Sequence, residues 1–186
     1  MKIRIKFRKY GVMKFIGHLD MMRYFQKAIR RAGIDICYSE GYSPHMIMSF
    51  ASPLGVGLTS DGEYLDIEVK EAPSSKEAIE RFRRVMVEGV EVISFRAIPD
   101  GKASNAMALT AAADYEVRFR RGCDWEGWQA DFDAFCRLTT IPVRKKSKKG
   151  EREVDIHPLI YRMERKEDGI FLTVATGSTR NLKPEL

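Results

Sequence analysis

Charged and apolar residues alternate strictly from Lys2 to Lys9, with Ile3, Ile5 and Phe7 on one side and Lys2, Arg4, Lys6 and Arg8 on the other. A period of two in β-branched and aromatic residues predicts a half-buried strand with a wholly cationic outer face, as is common at sheet edges. The period changes after Tyr10-Gly11. From Gly17 to Ala32, residues Leu19, Met22, Phe25, Ile29 and Ala32 recur at helical steps and predict a core-facing stripe. Arg23, Lys27, Arg30 and Arg31 form a second, basic stripe on the same helix, and Gly33 ends it. Ile34 to Tyr38 is a short strand candidate, and Ser39 to His45 is a loop punctuated by Gly41 and Pro44. Met46 to Ala51 resumes an apolar run, so this loop reads as a broad hairpin. Residues 52–57 are irregular, Gly62 to Val69 alternates as a strand, Ser74 or Ser75 caps a second helix through Glu88, and Val90 to Ala97 is a strand.

The order β-α-β-β-α-β is that of a split-βαβ, ferredoxin-like layer spanning residues 1–98. Ile98 to Ala108, with Pro99, Asp100 and Gly101, reads as a linker. The second half, residues 109–186, opens with an alternating strand from Ala113 to Arg120. A helix capped by Asp124 follows to about Leu138, its Trp125, Trp128, Phe132 and Phe135 read as one core face. Thr139 to Arg144 is extended and runs into a basic hairpin tip at Lys145–Lys149. Glu153 to Arg165 and Gly169 to Ala175 are paired strands. The expected fold is therefore α+β: two tandem ferredoxin-like halves with antiparallel sheets and helices packed on one face, the second of β-α-β-β-β order. The chain stops in a glycine-to-proline loop, Gly177 to Pro184, of a kind that leads into a further element, as expected of a truncated chain.

Charge adds a second layer. The net charge is +6, but residues 1–50 carry ten Lys/Arg against three acids, and residues 141–152 carry six against Glu151. Two basic concentrations in an otherwise slightly acidic chain suit a polyanion. No apolar run approaches the length of a membrane span, and the N-terminus has no signal-peptide core. Cys37, Cys123 and Cys136 are an odd, widely spaced set, which fits reduced thiols in the cytoplasm. With no CxxC spacing, no cysteine-ligated zinc or iron–sulfur cluster of the usual kind is expected in this chain.

Two of the three histidines fall between Phe15 and Pro53. His18, Asp20 and His45 are the candidates for acid–base or metal chemistry, although on a helix residues 18 and 20 point about 200° apart. The bland alternatives are that Asp20 complements the helix dipole and that each histidine makes structural hydrogen bonds. No catalytic residue is assigned on sequence alone, and no metal is expected. The nucleic-acid candidates are Arg4, Arg8, Arg23, Lys27, Arg30, Arg31, Lys145, Lys146, Lys148, Lys149 and Arg180. Arginine offers planar, bidentate phosphate contacts. Tyr42, with Tyr10 and Tyr24, offers stacking surfaces for unpaired bases.

Several motifs taken together resemble a known bacterial family. They are Gly17-His18-Leu19-Asp20 (where the family usually has Ser first), Arg30-Arg31-Ala32-Gly33, Tyr38 to His45, Ser49-Phe50-Ala51, Pro53 to Gly57 and Glu63-Tyr64-Leu65-Asp66, with Asp155 to Ile160 and Gly177 to Pro184 later. The chain resembles the radical SAM-linked protein family, a DUF2344-like domain of unknown function fused to, or encoded beside, a B12-binding-type radical SAM protein. Two positions depart from that pattern: Met46 follows His45 where the family often has a basic residue, and His157 stands where it often has arginine. The resemblance implies a radical SAM enzyme as partner, with the 4Fe-4S cluster and S-adenosylmethionine belonging to that partner. It supplies no reaction. The expected function is an accessory that binds RNA, tRNA or rRNA, through its basic face. The alternatives are a metal-independent ribonuclease-like or RNA-modifying enzyme using His18 and His45, a docking module for the radical SAM enzyme, and a metal-dependent hydrolase.

Overall fold

The computed structural model describes residues 1–101, 104–120, 122, 125–147 and 150–184, and for residues 145–147 only the backbone is described. The chain divides into two compact units, Met1–Leu109 and Thr110–Leu186, each mixing helices with antiparallel sheet.

The first unit contains β1 (Lys2–Lys9), α1 (His18–Arg31), β2 (Met48–Phe50), β3 (Ser60–Glu68), α2 (Ser75–Val85), β4 (Val90–Ile98) and α3 (Ala106–Leu109). Its sheet has the order β2-β3-β1-β4, antiparallel throughout. The alternation of β1 does what its period predicts: Ile3, Ile5 and Phe7 are fully buried against Phe25 and Ile29 of α1 and Phe82 of α2. Burial of each such side chain stabilises the fold by roughly 1.5–3 kcal/mol. The strand is central, paired on both sides, and not at an edge.

On α1 the buried set is Met21, Phe25, Ala28 and Ile29, continuing to Ala32, whereas Leu19 is 63% exposed. At 100° per residue the buried positions share an arc of about 100°, and Leu19 lies roughly 140° from its centre. Phe25, Ile29 and Ala32 of the expected stripe are thus buried and Met22 packs half-buried against the core, while Leu19 alone falls outside it. Gly33, at φ +64, closes the helix in a Schellman arrangement, with Ile34 N–H donating to the Ile29 carbonyl at 3.2 Å. Ser74 caps α2 by accepting from the Glu77 amide. Residues 34–47 form no regular strand. They are held by the isolated bridges Ile36↔Val69 and Tyr38↔Met46.

The segment after β4, expected to be a linker, folds back on the sheet. Asp66, 7% exposed, accepts from Arg4 Nε (2.8 Å), Arg4 Nη2 (2.9 Å) and the Ala106 amide (2.6 Å). Arg4 also donates to the Ser104 carbonyl, and Lys2 Nζ reaches the Gly101 carbonyl and Asn105 Oδ1. Glycine and proline in this stretch suggested a free connection, but a single buried carboxylate recruits it.

The second unit contains β5 (Ala112–Arg118), α4 (Trp128–Phe135), β6 (Pro142–Ser147), β7 (Gly150–Asp155), β8 (Ile160–Lys166) and β9 (Gly169–Ala175). Its strands form a β5-β9-β8 sheet and a separate β6-β7 hairpin, which is not the four-stranded order of the first unit. The predicted strand from Glu153 to Arg165 is interrupted by a 3-10 turn at His157–Leu159. Pro158 lacks an amide for a ladder, and Asp155 Oδ1 draws in the amides of Ile141 (2.7 Å) and His157 (3.0 Å). Helix α4 begins at Trp128 behind Gly127, whose φ is +81. The predicted cap Asp124 lies outside the described residues. Of the expected aromatic stripe, Trp128 is buried, with Phe119 at 5.0 Å between ring centres and Phe132 at 6.3 Å, while Trp125 is 58% exposed. Leu182 of the C-terminal loop joins the core with Ile141, Ile156 and Val174.

Candidate functional site

The basic stripe of α1 survives as a physical surface. Arg23, Lys27, Arg30 and Arg31 are all exposed, on the side of the helix away from its buried arc. Arg23 makes an i,i+3 contact with Asp20 at 3.1 Å, both side chains open to water. Such a pair is worth little, about 0–1 kcal/mol, and yields readily to a stronger anion. Lys27, Arg30 and Arg31 have no carboxylate within 4 Å among the described residues. Some cations of the same unit are paired, Arg8 with Asp61 (3.2 Å) and Glu91 (3.7 Å), Arg81 with Glu77 (2.6 Å), and Arg83 with Glu80, whereas Lys6, Lys14, Lys76, Arg84 and Arg96, like the three on α1, have no carboxylate within 4 Å among the described residues.

Arg4, a nucleic-acid candidate by sequence, is held internally. Its guanidinium is bidentate on Asp66, which raises its pKa further above the ordinary arginine value despite partial burial. Its charge is already matched by a carboxylate and a carbonyl.

His18, Asp20 and His45 have three different sets of partners. His18 is the first residue of α1 and stands edge-on to Phe50, with 5.2 Å between ring centres. Asp20 faces Arg23. His45 Nδ1 lies 2.8 Å from Ser39 Oγ in the loop of residues 39–45. Among the described residues no three His, Cys, Asp or Glu side chains are grouped to hold a metal ion.

His18 instead opens on a pocket lined by Phe7, Lys9, Met21, Phe50, Ser52, Leu54 and Glu63. Its free interior is about 10 Å³, room for about one water molecule. Lys9 continues the inward phase of Ile3, Ile5 and Phe7, is 2% exposed, and donates to the Ile16 carbonyl at 2.7 Å. Burial lowers the Lys9 pKa, against the attraction of Glu63. Burial likewise pushes the Glu63 carboxyl up, against the Ser60 hydroxyl and the charge of Lys9. Glu63 sits opposite Phe7 in the β1–β3 register, so it faces the same layer. Sequence reasoning passed over both residues, although the signal was present. Each is a charged residue standing in the apolar phase of an alternating strand, and such a residue is buried only with partners. The β1 ladders are irregular here, between Phe7 and Lys9 on one side and Lys6 and Phe7 on the other, a common setting for a re-aimed side chain.

The three aromatic candidates differ. Tyr24 is half-buried, its hydroxyl accepts from the Val87 amide at 2.9 Å, and burial raises its pKa. Tyr10 is 39% exposed, and Tyr42 stands wholly in solvent. In the second unit Arg180 is exposed in the loop after β9. Lys145 and Lys146 fall on β6, where only the backbone is described, and Lys148 and Lys149 lie outside the described residues, as does Cys123. Among the described residues no helix is long and apolar enough to cross a membrane.

Fold and surface together define a two-unit α+β protein with antiparallel sheets and an exposed cationic face on α1. The chain belongs to the bacterial family described as "Uncharacterized protein conserved in bacteria (DUF2344)", which matches residues 2–184. No curated protein matches the sequence.

Proposed function

We propose that this protein is a cytoplasmic RNA-binding accessory, holding a phosphate backbone on the exposed face of α1 while a radical SAM partner performs the chemistry. The observation that carries this reading is the clustering of four exposed cations, Arg23, Lys27, Arg30 and Arg31, on one face of α1, the last three without a carboxylate within 4 Å among the described residues. Residues 23–31 span about 12 Å along the helix axis, enough to present several cations along one strand. The radical SAM partner, with its cluster and S-adenosylmethionine, rests on the motif resemblance. In the same reading the first unit is a ferredoxin-like layer, supported by its β2-β3-β1-β4 order, and the second is a diverged copy.

The test is binding of bulk tRNA and ribosomal RNA across a salt series. Four phosphate contacts to a single strand predict a log–log salt slope near −3. Joint reversal of Arg23, Lys27, Arg30 and Arg31 to glutamate is expected to weaken binding and flatten that slope by about the same amount. No binding at low salt would sink the reading, and capture of the radical SAM enzyme after nuclease treatment would then favour protein docking.

A second reading has one observation behind it: His18 lines one pocket with Lys9 and with Glu63, and burial raises the pKa of the Glu63 carboxyl. An imidazole and a buried carboxyl lining one pocket suit acid–base catalysis. If the protein turns RNA over and both His18→Ala and Glu63→Gln abolish turnover while binding persists, the pocket is an active site.

A further inference from the structure

Residues 39–45 form a loop closed at its base by one pair of residues. The Ser39 amide donates to the His45 carbonyl (2.8 Å), the His45 amide donates to Ser39 Oγ (3.1 Å), and Ser39 Oγ meets His45 Nδ1 at 2.8 Å. The Tyr38↔Met46 bridge and the Ile47 amide on the Cys37 carbonyl (2.9 Å) continue the closure below it. Gly41, at φ +106, makes the reversal that a side chain would strain. At the tip stands Tyr42, with a relative exposure of 111%, so its ring packs against nothing in the fold. An aromatic side chain left wholly in water forgoes burial of roughly 150–250 Å². The bonds between Ser39 and His45 hold the two ends of the loop together, which lowers the entropy still to be lost when a ligand arrives. The loop carries Glu40 and no lysine or arginine. It is therefore ill suited to a phosphate, and whatever it contributes comes through the ring.

We infer that the 39–45 loop is a base-stacking finger: Tyr42 stacks on an unpaired nucleobase, and His45 with Ser39 are positioning residues that fix its direction. This rests on the RNA-binding reading of α1 and adds the class of RNA, which is single-stranded or looped at the contact. A duplex buries its base faces in its own stack and leaves none for Tyr42. The division of labour is specific. The α1 face supplies the salt-dependent part of binding, and Tyr42 supplies a salt-independent part.

The experiment measures affinity of the full chain for a mixed-sequence single-stranded RNA 12-mer and for a duplex of the same length, each across a salt series. Tyr42→Ala is expected to weaken single-strand binding by about fivefold to a hundredfold, the range set by loss of one base–aromatic stack. Its salt slope stays that of the wild type, and duplex binding is unchanged. Tyr42→Phe retains the affinity. His45→Ala produces part of the loss with an unaltered thermal midpoint, and His45→Asn, which can again pair with Ser39, restores it. If Tyr42→Ala binds like the wild type while reversal of the α1 cations abolishes binding, the finger is refuted and the RNA reading stands. If Tyr42→Ala weakens single strand and duplex equally, or lowers the salt slope, the stacking role is likewise refuted. If the wild type binds neither RNA, both readings fail.

Discussion

Replacing Asp66 with alanine tests whether the outer face of the first sheet is an open cationic surface or a clamp. Asp66 accepts two bonds from Arg4 and one from the Ala106 amide, at 2.6–2.9 Å, and its side chain is 9% exposed. A hydrogen bond to a charged group contributes about 1.5–3 kcal/mol, and breaking a buried pair by removing one partner costs about 3–5 kcal/mol. Arg4 is 20% exposed and keeps the Ser104 carbonyl, so water recovers part of its solvation. The expected loss is therefore about 2–4 kcal/mol, below the sum of the separate bonds. For a unit of this size that lowers the midpoint of its thermal transition by roughly 10–25 °C. Asp66→Asn, which keeps the shape and one acceptor, should lose about half as much. The assay is urea or thermal unfolding followed by circular dichroism, with Arg4→Ala, Asp66→Ala and the double variant forming a cycle. Strong coupling is expected, the double variant being little worse than Asp66→Ala alone. Additive effects, or a loss under about 1 kcal/mol for Asp66→Ala, would refute the clamp. RNA affinity of folded Arg4→Gln should equal that of the wild type, because that guanidinium is already occupied.

Three further outcomes follow from local physics. Because burial raises the Glu63 pKa above its unfolded value, the native state keeps a proton that the unfolded chain releases, so stability falls as pH rises through that window. Glu63→Gln should remove this slope in unfolding curves taken from mildly acidic to neutral pH, and an unchanged slope would assign it elsewhere. A Cβ at Gly89, where φ is +96, would lie 2.6 Å from Met13 Cγ and 2.8 Å from the Tyr10 carbonyl, so Gly89→Ala should destabilise the first unit by more than about 1 kcal/mol in denaturant titration. The amides of Ile141 and His157 hold the Asp155 carboxyl below its usual range, so its contribution is present at neutral pH and lost as pH falls through the depressed value. Asp155→Ala should remove that acid sensitivity from unfolding followed by the fluorescence of Trp125 and Trp128.

The alternation of Lys2 to Lys9, the helical steps of Phe25 and Ile29, the Gly33 stop and the Ser74 cap were all readable along the chain, because each depends on a period or a neighbour within one element. The exposed cations of α1 were readable for the same reason, since a helix with one apolar arc must turn its opposite arc to solvent. Tertiary structure alone decided where charge is spent. Arg4 and Lys9 are two cations of one basic strand, of which only Lys9 stands in the inward phase, but only the fold shows that Arg4 meets Asp66 from β3 and that Lys9 meets the Ile16 carbonyl beyond the strand end. The same holds for the histidines: nothing along the chain showed that His45 would be held by Ser39 while His18 would line one pocket with Glu63. Periodicity reports which way a side chain points, but pairing energies fall off over a few ångströms. Which charges neutralise one another is therefore settled only when the fold brings separate segments within that distance.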